Sequence, residues 1–514
     1  MYLINSFAII LYMPNNKVLI IGWDCAPPDW VFDKWIDNLP TLKSLLKKGL
    51  YGNLRSTIPP ITVPAWQSML TSKDPGQLGV YGFRNRKDYS YDGQYFSNGA
   101  DILEPAVWDI LGKNNKKSIL VGVPQTYPPR EINGHMVTCF LTPSIKSQYT
   151  YPNELRNEIE KNIGEYIPDV KHFRTEDRDF ILKQIYEATK TRFKTFRHLL
   201  KNKEWDFAMI VEMGTDRIHH SFWKFLDPKH PKYEKGNKYE NVIPEYYKYL
   251  DDELAETLDV VGVGRDQHLQ NDVAVMVVSD HGAKAMLGGI CINEWLIKEG
   301  LLTLKEYPKT FTPIEKLQID WAKTKVWGAG GYYARIFLNV QGREPNGQIP
   351  ASEYKKFRAK LKEEVENIKD EQGRKLATVA YIPEETYKDV KRIPPDLIVI
   401  FDELRWRSVG SVGINSVYTY ENDTGPDDAN HAQEGMYMLY NPAHNFNGKR
   451  NDKQHLMDVA PTVLDLLGVK IPDDMQGKSI IEAVIARKPE GLTKQSSSVS
   501  ENSQKIASSL RSSQ

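Results

Sequence analysis

"KVLIIGWDCAPPDW" (residues 17–30) decides the fold and poses the first functional question. "KVLII" is an uninterrupted apolar run of strand length, and a strand without polar alternation is one buried on both faces, as in a parallel sheet covered by helices. The run stops at a lone carboxylate, Asp24, and the chain then turns through Pro27 and Pro28. Open α/β sheets bind ligands outside the carboxyl ends of their strands, so Asp24 stands where a ligand would be met. Aspartate at a strand end also caps helices and closes turns, and alone it assigns nothing.

Outward from this stretch, runs of the same kind recur: "SILVGVP" (118–124), "FAMIVEM" (207–213), "VAVMVVSD" (273–280), "ARIFLNV" (334–340), "DLIVIFD" (396–402) and "GMYMLY" (435–440). Helical patterns fall between them, among them "DRDFILKQIYEATKTRFKTFRHLL" and "EYYKYLDDELAETLDVVG". The alternation predicts an α/β fold, a large mostly parallel sheet sandwiched between helices. Residues near 85–115 and 300–395, rich in charge, Gly and Pro, read as insertions that fold over the carboxyl edge of the sheet as a cap. Residues 17–487 are thus expected to form one catalytic unit with cap insertions, preceded by an extension (1–16) and followed by a serine-rich disordered tail (488–514).

With 67 basic and 67 acidic residues the 514-residue chain has no net charge, which speaks against a nucleic-acid polymer and for a small substrate. Three cysteines, Cys25, Cys139 and Cys291, are far apart and odd in number, so neither a disulfide framework nor a CxxC metal site is expected and a cytoplasmic location is. The opening "MYLINSFAIILYM" is too short for a membrane span and lacks the flanks of a signal peptide. It reads as an upstream extension, with a weak membrane anchor as the rival, and no stable membrane insertion is expected.

Other strand ends carry ligand-type residues as well. "FAMIVEM" is followed by Asp216 and His220, four residues apart and so on one side of a helical turn. "VAVMVVSD" ends in Asp280 with His281 next, and His431 lies shortly before the "GMYMLY" run. His219 is the neighbour that could replace His220, but the spacing from Asp216 favours His220. Carboxylate and imidazole suit zinc, with manganese or iron also served, and six such groups exceed the needs of one tetrahedral ion. Two ions roughly 3.5–4 Å apart are the usual clamp on a phosphoryl group. Thr62, in "ITVPAW" before a helix with Pro64 in its first turn, reads either as a plain helix cap or as a hydroxyl nucleophile at the helix's positive end.

The ordered series Asp24, Thr62 in "TVPAW", Asp216 with His220, "DHG" at 280–282 and His431 resembles the alkaline phosphatase superfamily. The nearest branch is that of type I phosphodiesterases and nucleotide pyrophosphatases together with predicted phosphohydrolase/phosphomutase proteins, and the likeness runs from Lys17 to about Arg487. It implies one ion on Asp216, His220 and His431 and a second on Asp24, Asp280 and His281. Thr62 would bridge toward the second ion and attack phosphorus in line, forming a phosphothreonine that water then hydrolyses. The implied function is metal-dependent cleavage of phosphodiester or nucleotide pyrophosphate bonds in a small phosphorylated substrate. A phosphomonoesterase or phosphomutase of the same superfamily is the alternative, and a non-catalytic metal-binding module the third. The chain departs from the pattern at "PGQLG", where Leu78 takes the place of a usual histidine, and no arginine is assignable to a substrate phosphate.

Overall fold

The computed structural model describes residues 17–263 and 273–485; the expected extension and tail lie outside the described residues. Ten strands form the central sheet, in the order Lys449–Arg450, Leu50–Arg55, Glu434–Tyr440, Val273–Val278, Lys17–Trp23, Phe207–Glu212, Ser118–Val121, Gly134–Val137 and Thr150–Tyr151, with Gln454–His455 also on Leu50–Arg55. Lys17–Trp23 is central and parallel to both neighbours, Gly22 lying level with Val278 on one side and Val211 on the other. Pairing is parallel except where Glu434–Tyr440 meets its two neighbours and where Thr150–Tyr151 closes the far edge.

The apolar run of Lys17–Trp23 is explained by what covers it. Leu19, Ile21 and Trp23 enter one core, with Phe193 and Leu254 from the helices Arg178–Asn202 and Val242–Val260, whereas Val18 and Ile20 enter another, with Met69 and Val463 from Thr62–Thr71 and Val459–Leu466. Both faces of the strand are therefore dry, and alternation has nothing to mark.

Two of the sequence's strand-like runs leave this sheet. Ala334–Leu338 and Leu397–Ile400 join Val326–Ala329 and Val379–Tyr381 in a separate four-stranded antiparallel sheet with its own core, backed by the helix Tyr354–Glu366 through Leu361 and Val365. An apolar run records burial on both faces, not which sheet supplies it, so it could not separate the two.

Candidate active site

Three adjacent parallel strands end on the same edge of the sheet, and each delivers part of one cluster. Asp24 follows Lys17–Trp23, the helix Gly214–Leu226 that carries Asp216 and His220 follows Phe207–Glu212, and Asp280 with His281 follows Val273–Val278. Glu434–Tyr440 runs antiparallel to Val273–Val278, so its start, not its end, lies at that edge. His431, on the preceding strand Ala429–Ala432 opposite Ala283, reaches the site for that reason. Topology thus gathers residues more than 400 positions apart.

The side chains fall into two groups. Asp216 Oδ1 lies 3.2 Å from His220 Nε2 and 3.7 Å from His431 Nε2, and the two imidazole nitrogens are 3.4 Å apart. His281 Nε2 lies 3.1 Å from Asp280 Oδ2 and 3.9 Å from Asp24 Oδ1. The rings of His281 and His431 stack at 3.8 Å, so the groups share a wall. These are the two triplets expected from the sequence; Cys25, buried, is a fourth potential donor beside Asp216, His220 and His431.

Each imidazole is oriented from behind. His431 Nδ1 donates to the Pro60 carbonyl at 2.9 Å, His281 Nδ1 to the Gly282 carbonyl at 3.2 Å, and His220 Nδ1 to Asp427 Oδ1 at 2.7 Å. Fixing Nδ1 as the donor leaves Nε2 of each ring for the cluster, the usual support of a metal-ligating histidine. Asp24 is held by Trp66, whose indole N–H donates to Oδ2 at 2.6 Å. Trp66 packs under Gly22, where any Cβ would sit 2.6 Å from its ring, so this glycine makes the indole's approach sterically feasible.

The electrostatics suit cations. Burial, and then the neighbouring Asp280 and Asp216, push the Asp24 carboxyl well above the usual range; burial does the same to Asp280, with Asp216 adding to it. Asp24 Oδ1 and Asp280 Oδ2 are buried without a hydrogen-bond partner. Two inward carboxylate oxygens without donors are costly unless a cation joins them, so the residues present fit divalent metal. Burial draws His281 down to about 4 and His431 well below its ordinary value, the latter helped by His281 and His220; both are neutral, as ligands must be. His220 differs: burial opposes its charge, but Asp427 and Asp216 outweigh it and lift the ring to about 9, so a metal ion bound at its Nε2 would have to displace a proton there.

Thr62 is the first residue of the helix Thr62–Thr71, not its cap. Ile61 occupies the capping position, and no side chain caps the helix. The Thr62 hydroxyl instead lies 3.3 Å from His281 Nε2. The capping reading therefore gives way: the hydroxyl faces the cluster. Leu78, where a histidine is usual, packs with Val63 and Val80 in a small apolar cluster, so that position supplies packing next to Thr62.

His219 turns away from the site toward the Tyr247 hydroxyl, 3.3 Å from its Nε2. Trp23 and Trp66 are fully buried and therefore core residues, although Trp66 also positions Asp24. Sequence reasoning missed Cys25, Asp427 and Tyr332; the last stacks on His220 and packs tilted against His431, with ring centroids 4.9 and 4.1 Å away. Adjacency could have flagged the first two, Cys25 following Asp24 and Asp427 lying four residues before His431, whereas Tyr332 neighbours no ligand-type residue in the sequence. Beside the cluster, a cleft of about 1030 Å³ runs from Ile61 to the second sheet, lined by residues that include Arg174, Tyr332, Arg335 and Arg407.

A family model for type I phosphodiesterase / nucleotide pyrophosphatase matches residues 18–427. No curated protein matches the chain. Among solved structures, human ectonucleotide pyrophosphatase / phosphodiesterase 5 is similar at 14% identity and a TM-score of 0.51, over 91% of this chain and 98% of that one. An inactive variant of the murine protein in complex with AMP is similar at 13% identity and 0.51, over 89% and 96%. Phosphonoacetate hydrolase from Sinorhizobium meliloti 1021, in complex with phosphonoformate, gives 15% identity and 0.57, over 88% and 96%. At these identities the likeness speaks for the fold.

Proposed function

Because the chain belongs to the type I phosphodiesterase / nucleotide pyrophosphatase family, a family of metal-dependent phosphohydrolases, we propose that it cleaves phosphodiester or nucleotide pyrophosphate bonds with Thr62 as nucleophile. The observation that carries this reading is the position of the Thr62 hydroxyl, 3.3 Å from His281 Nε2, beside two buried groups of carboxylate and imidazole. Asp216, His220 and His431 would hold one divalent ion and Asp24, Asp280 and His281 the other, zinc suiting this donor set best and manganese or iron less well. Bound there, the ions supply Lewis-acid stabilisation of charge on the phosphoryl oxygens and lower the pKa of a coordinated hydroxyl.

The chain's own residues do the rest. Seated at the first turn of its helix, Thr62 presents its oxygen at the end where backbone N–H groups and the helix dipole favour negative charge. Attack by that oxygen on phosphorus breaks the bond to the alcohol or phosphate leaving group, which departs with the hydroxyl's proton, and leaves a phosphothreonine that still carries the substrate's other substituent; water hydrolyses it, releasing the phosphate monoester and restoring the hydroxyl. Asp427, Pro60 and Gly282 hold the three imidazoles by Nδ1, and Trp66 holds Asp24, so the constellation is set before substrate arrives. We read 17–487 as one catalytic unit whose insertions near 85–115 and 300–395 select the substrate. The three cysteines are unpaired thiols, in keeping with a reducing, cytoplasmic setting, and no helix among the described residues is long and apolar enough to cross a membrane.

The test is a panel of aryl phosphate monoesters and diesters, assayed with zinc- and manganese-loaded protein whose metal content is measured. Diester turnover well above monoester turnover is expected. Turnover of monoesters alone would move the protein to the phosphomonoesterase or mutase reading, and no turnover with two ions bound would leave only a metal-binding module.

A further inference from the structure

The cleft beside the cluster holds a cationic group that the reaction as described does not use. Arg407 is 4% exposed, and its Nε and Nη1 are buried with no hydrogen-bond partner. Its nearest carboxylates are Asp427 Oδ2 at 3.6 Å and Asp423 Oδ1 at 3.9 Å. Asp427 is shared among cations: its Oδ1 accepts from His220 Nδ1, and its Oδ2, which accepts no hydrogen bond, forms an ion pair with Arg174 Nη1 at 2.9 Å. Arg174 lines the same cleft and donates from Nη2 to the Tyr332 hydroxyl at 3.0 Å.

Tyr332 is the partition between this pair and the metal ligands. Its ring stacks on His220, packs tilted against His431 and lies 5.9 and 5.8 Å from the guanidinium carbons of Arg174 and Arg407. The Gly331–Ser408 bridge, closed by hydrogen bonds in both directions at 2.9 and 3.0 Å, fixes Tyr332 and Arg407 side by side. The cleft also reaches Ile61, next to Thr62. A phosphoryl group attacked by Thr62 therefore has, one aromatic ring away, a buried guanidinium with unused donors. Such donors are costly when unmet, and their planar fork matches a carboxylate or phosphate.

We propose that Arg407, with Arg174, forms a subsite for a second anionic group of the substrate, so that the natural substrate is a phosphoryl ester or anhydride bearing a further phosphate, phosphonate or carboxylate. The inference rests on the phosphohydrolase reading above. The rival role, in which both arginines serve only to hold Asp427 and through it His220, affects every substrate alike.

Three 4-nitrophenyl phosphodiesters with the same leaving group separate the two: the propyl, 2-carboxyethyl and 2-phosphoethyl esters, assayed with wild type, Arg407→Met and Arg407→Lys at equal metal content. In wild type, kcat/KM is expected to be about tenfold to a hundredfold higher for an ester with a terminal anion than for the propyl ester, the range for charge-assisted hydrogen bonds. Arg407→Met should abolish that preference and Arg407→Lys should keep part of it; the carboxyethyl and phosphoethyl arms show which anion is preferred. No preference in wild type, or an equal fall on all three esters in Arg407→Met, overturns the subsite. If none of the esters turns over, the phosphohydrolase reading fails, and calorimetric binding still decides the subsite: propylphosphonate and 2-carboxyethylphosphonate bound with equal affinity would contradict it.

Discussion

The Thr62 hydroxyl oxygen lies 3.3 Å from His281 Nε2, across 219 residues of sequence. That contact joins the start of one helix to the end of a central strand and places the hydroxyl proposed as nucleophile against the Asp24, Asp280 and His281 group.

Asp24 depends on Trp66. Replacing Trp66 with Phe removes the indole N–H that donates to Asp24 Oδ2 at 2.6 Å while keeping an aromatic ring. Losing such an outer partner typically costs about tenfold to a hundredfold in metal affinity. Metal titration of Trp66→Phe should show one of two bound ions weakened by that amount and the other unchanged.

Asp427 orients His220 by a 2.7 Å hydrogen bond, so Asp427→Asn should weaken the other ion, also by about tenfold to a hundredfold. Activity should return when zinc is raised. Failure of excess metal to restore it would mean that Asp427 acts on the substrate and not on the ligand.

The helix bearing Asp216 and His220 begins just after Glu212, a fully buried carboxylate 2.7 Å from Arg192 Nη1. Tyr246 and Thr189 also donate to Glu212, at 3.3 and 3.1 Å. Arg192→Met leaves that charge buried without its cation, a change that costs about 3–5 kcal/mol. Chemical denaturation should report a loss of that size, larger than that of the double replacement Arg192→Met with Glu212→Gln.

Asp428 supplies a pH dependence. Burial, only partly offset by Lys224 and Arg178, lifts its carboxyl to about 7. Its folded value lies above its unfolded one, so the native state binds the extra proton between about pH 4 and 7 and loses stability as pH rises through that window, by at most about 4 kcal/mol. Asp428→Asn cannot lose a proton, and its denaturation midpoint should be flatter over the same range.

Much of this architecture was legible in the sequence because burial writes directly into it. The unbroken apolar runs at 17–22, 207–213 and 273–280 become the three central strands, and in such a sheet their following carboxylates necessarily share one edge. Resemblance placed His431 at the site, but why it arrives from ahead of Glu434–Tyr440 required the antiparallel pairing of that strand. The second sheet was not separable, since "ARIFLNV" and "DLIVIFD" are as apolar as the central runs. Nor were Asp427, Tyr332 and Arg407, whose places come from contacts such as the Gly331–Ser408 bridge that leave no periodic trace. Thr62 shows the limit of local rules: a threonine before a helix reads as a cap or as a free hydroxyl alike, and only the fold brings its hydroxyl to 3.3 Å from His281 Nε2.

On the proposed mechanism Thr62 carries the phosphoryl group during turnover. Acid quenching of metal-loaded protein within a single turnover of an aryl diester, followed by mass spectrometry of the peptide containing Thr62, tests it directly. A substrate-derived phosphoryl adduct on Thr62 that forms and decays at rates consistent with turnover, absent in Thr62→Ala, is the predicted result. Full release of nitrophenol with no adduct at any time, or turnover by Thr62→Ala at the wild-type rate, would contradict the account.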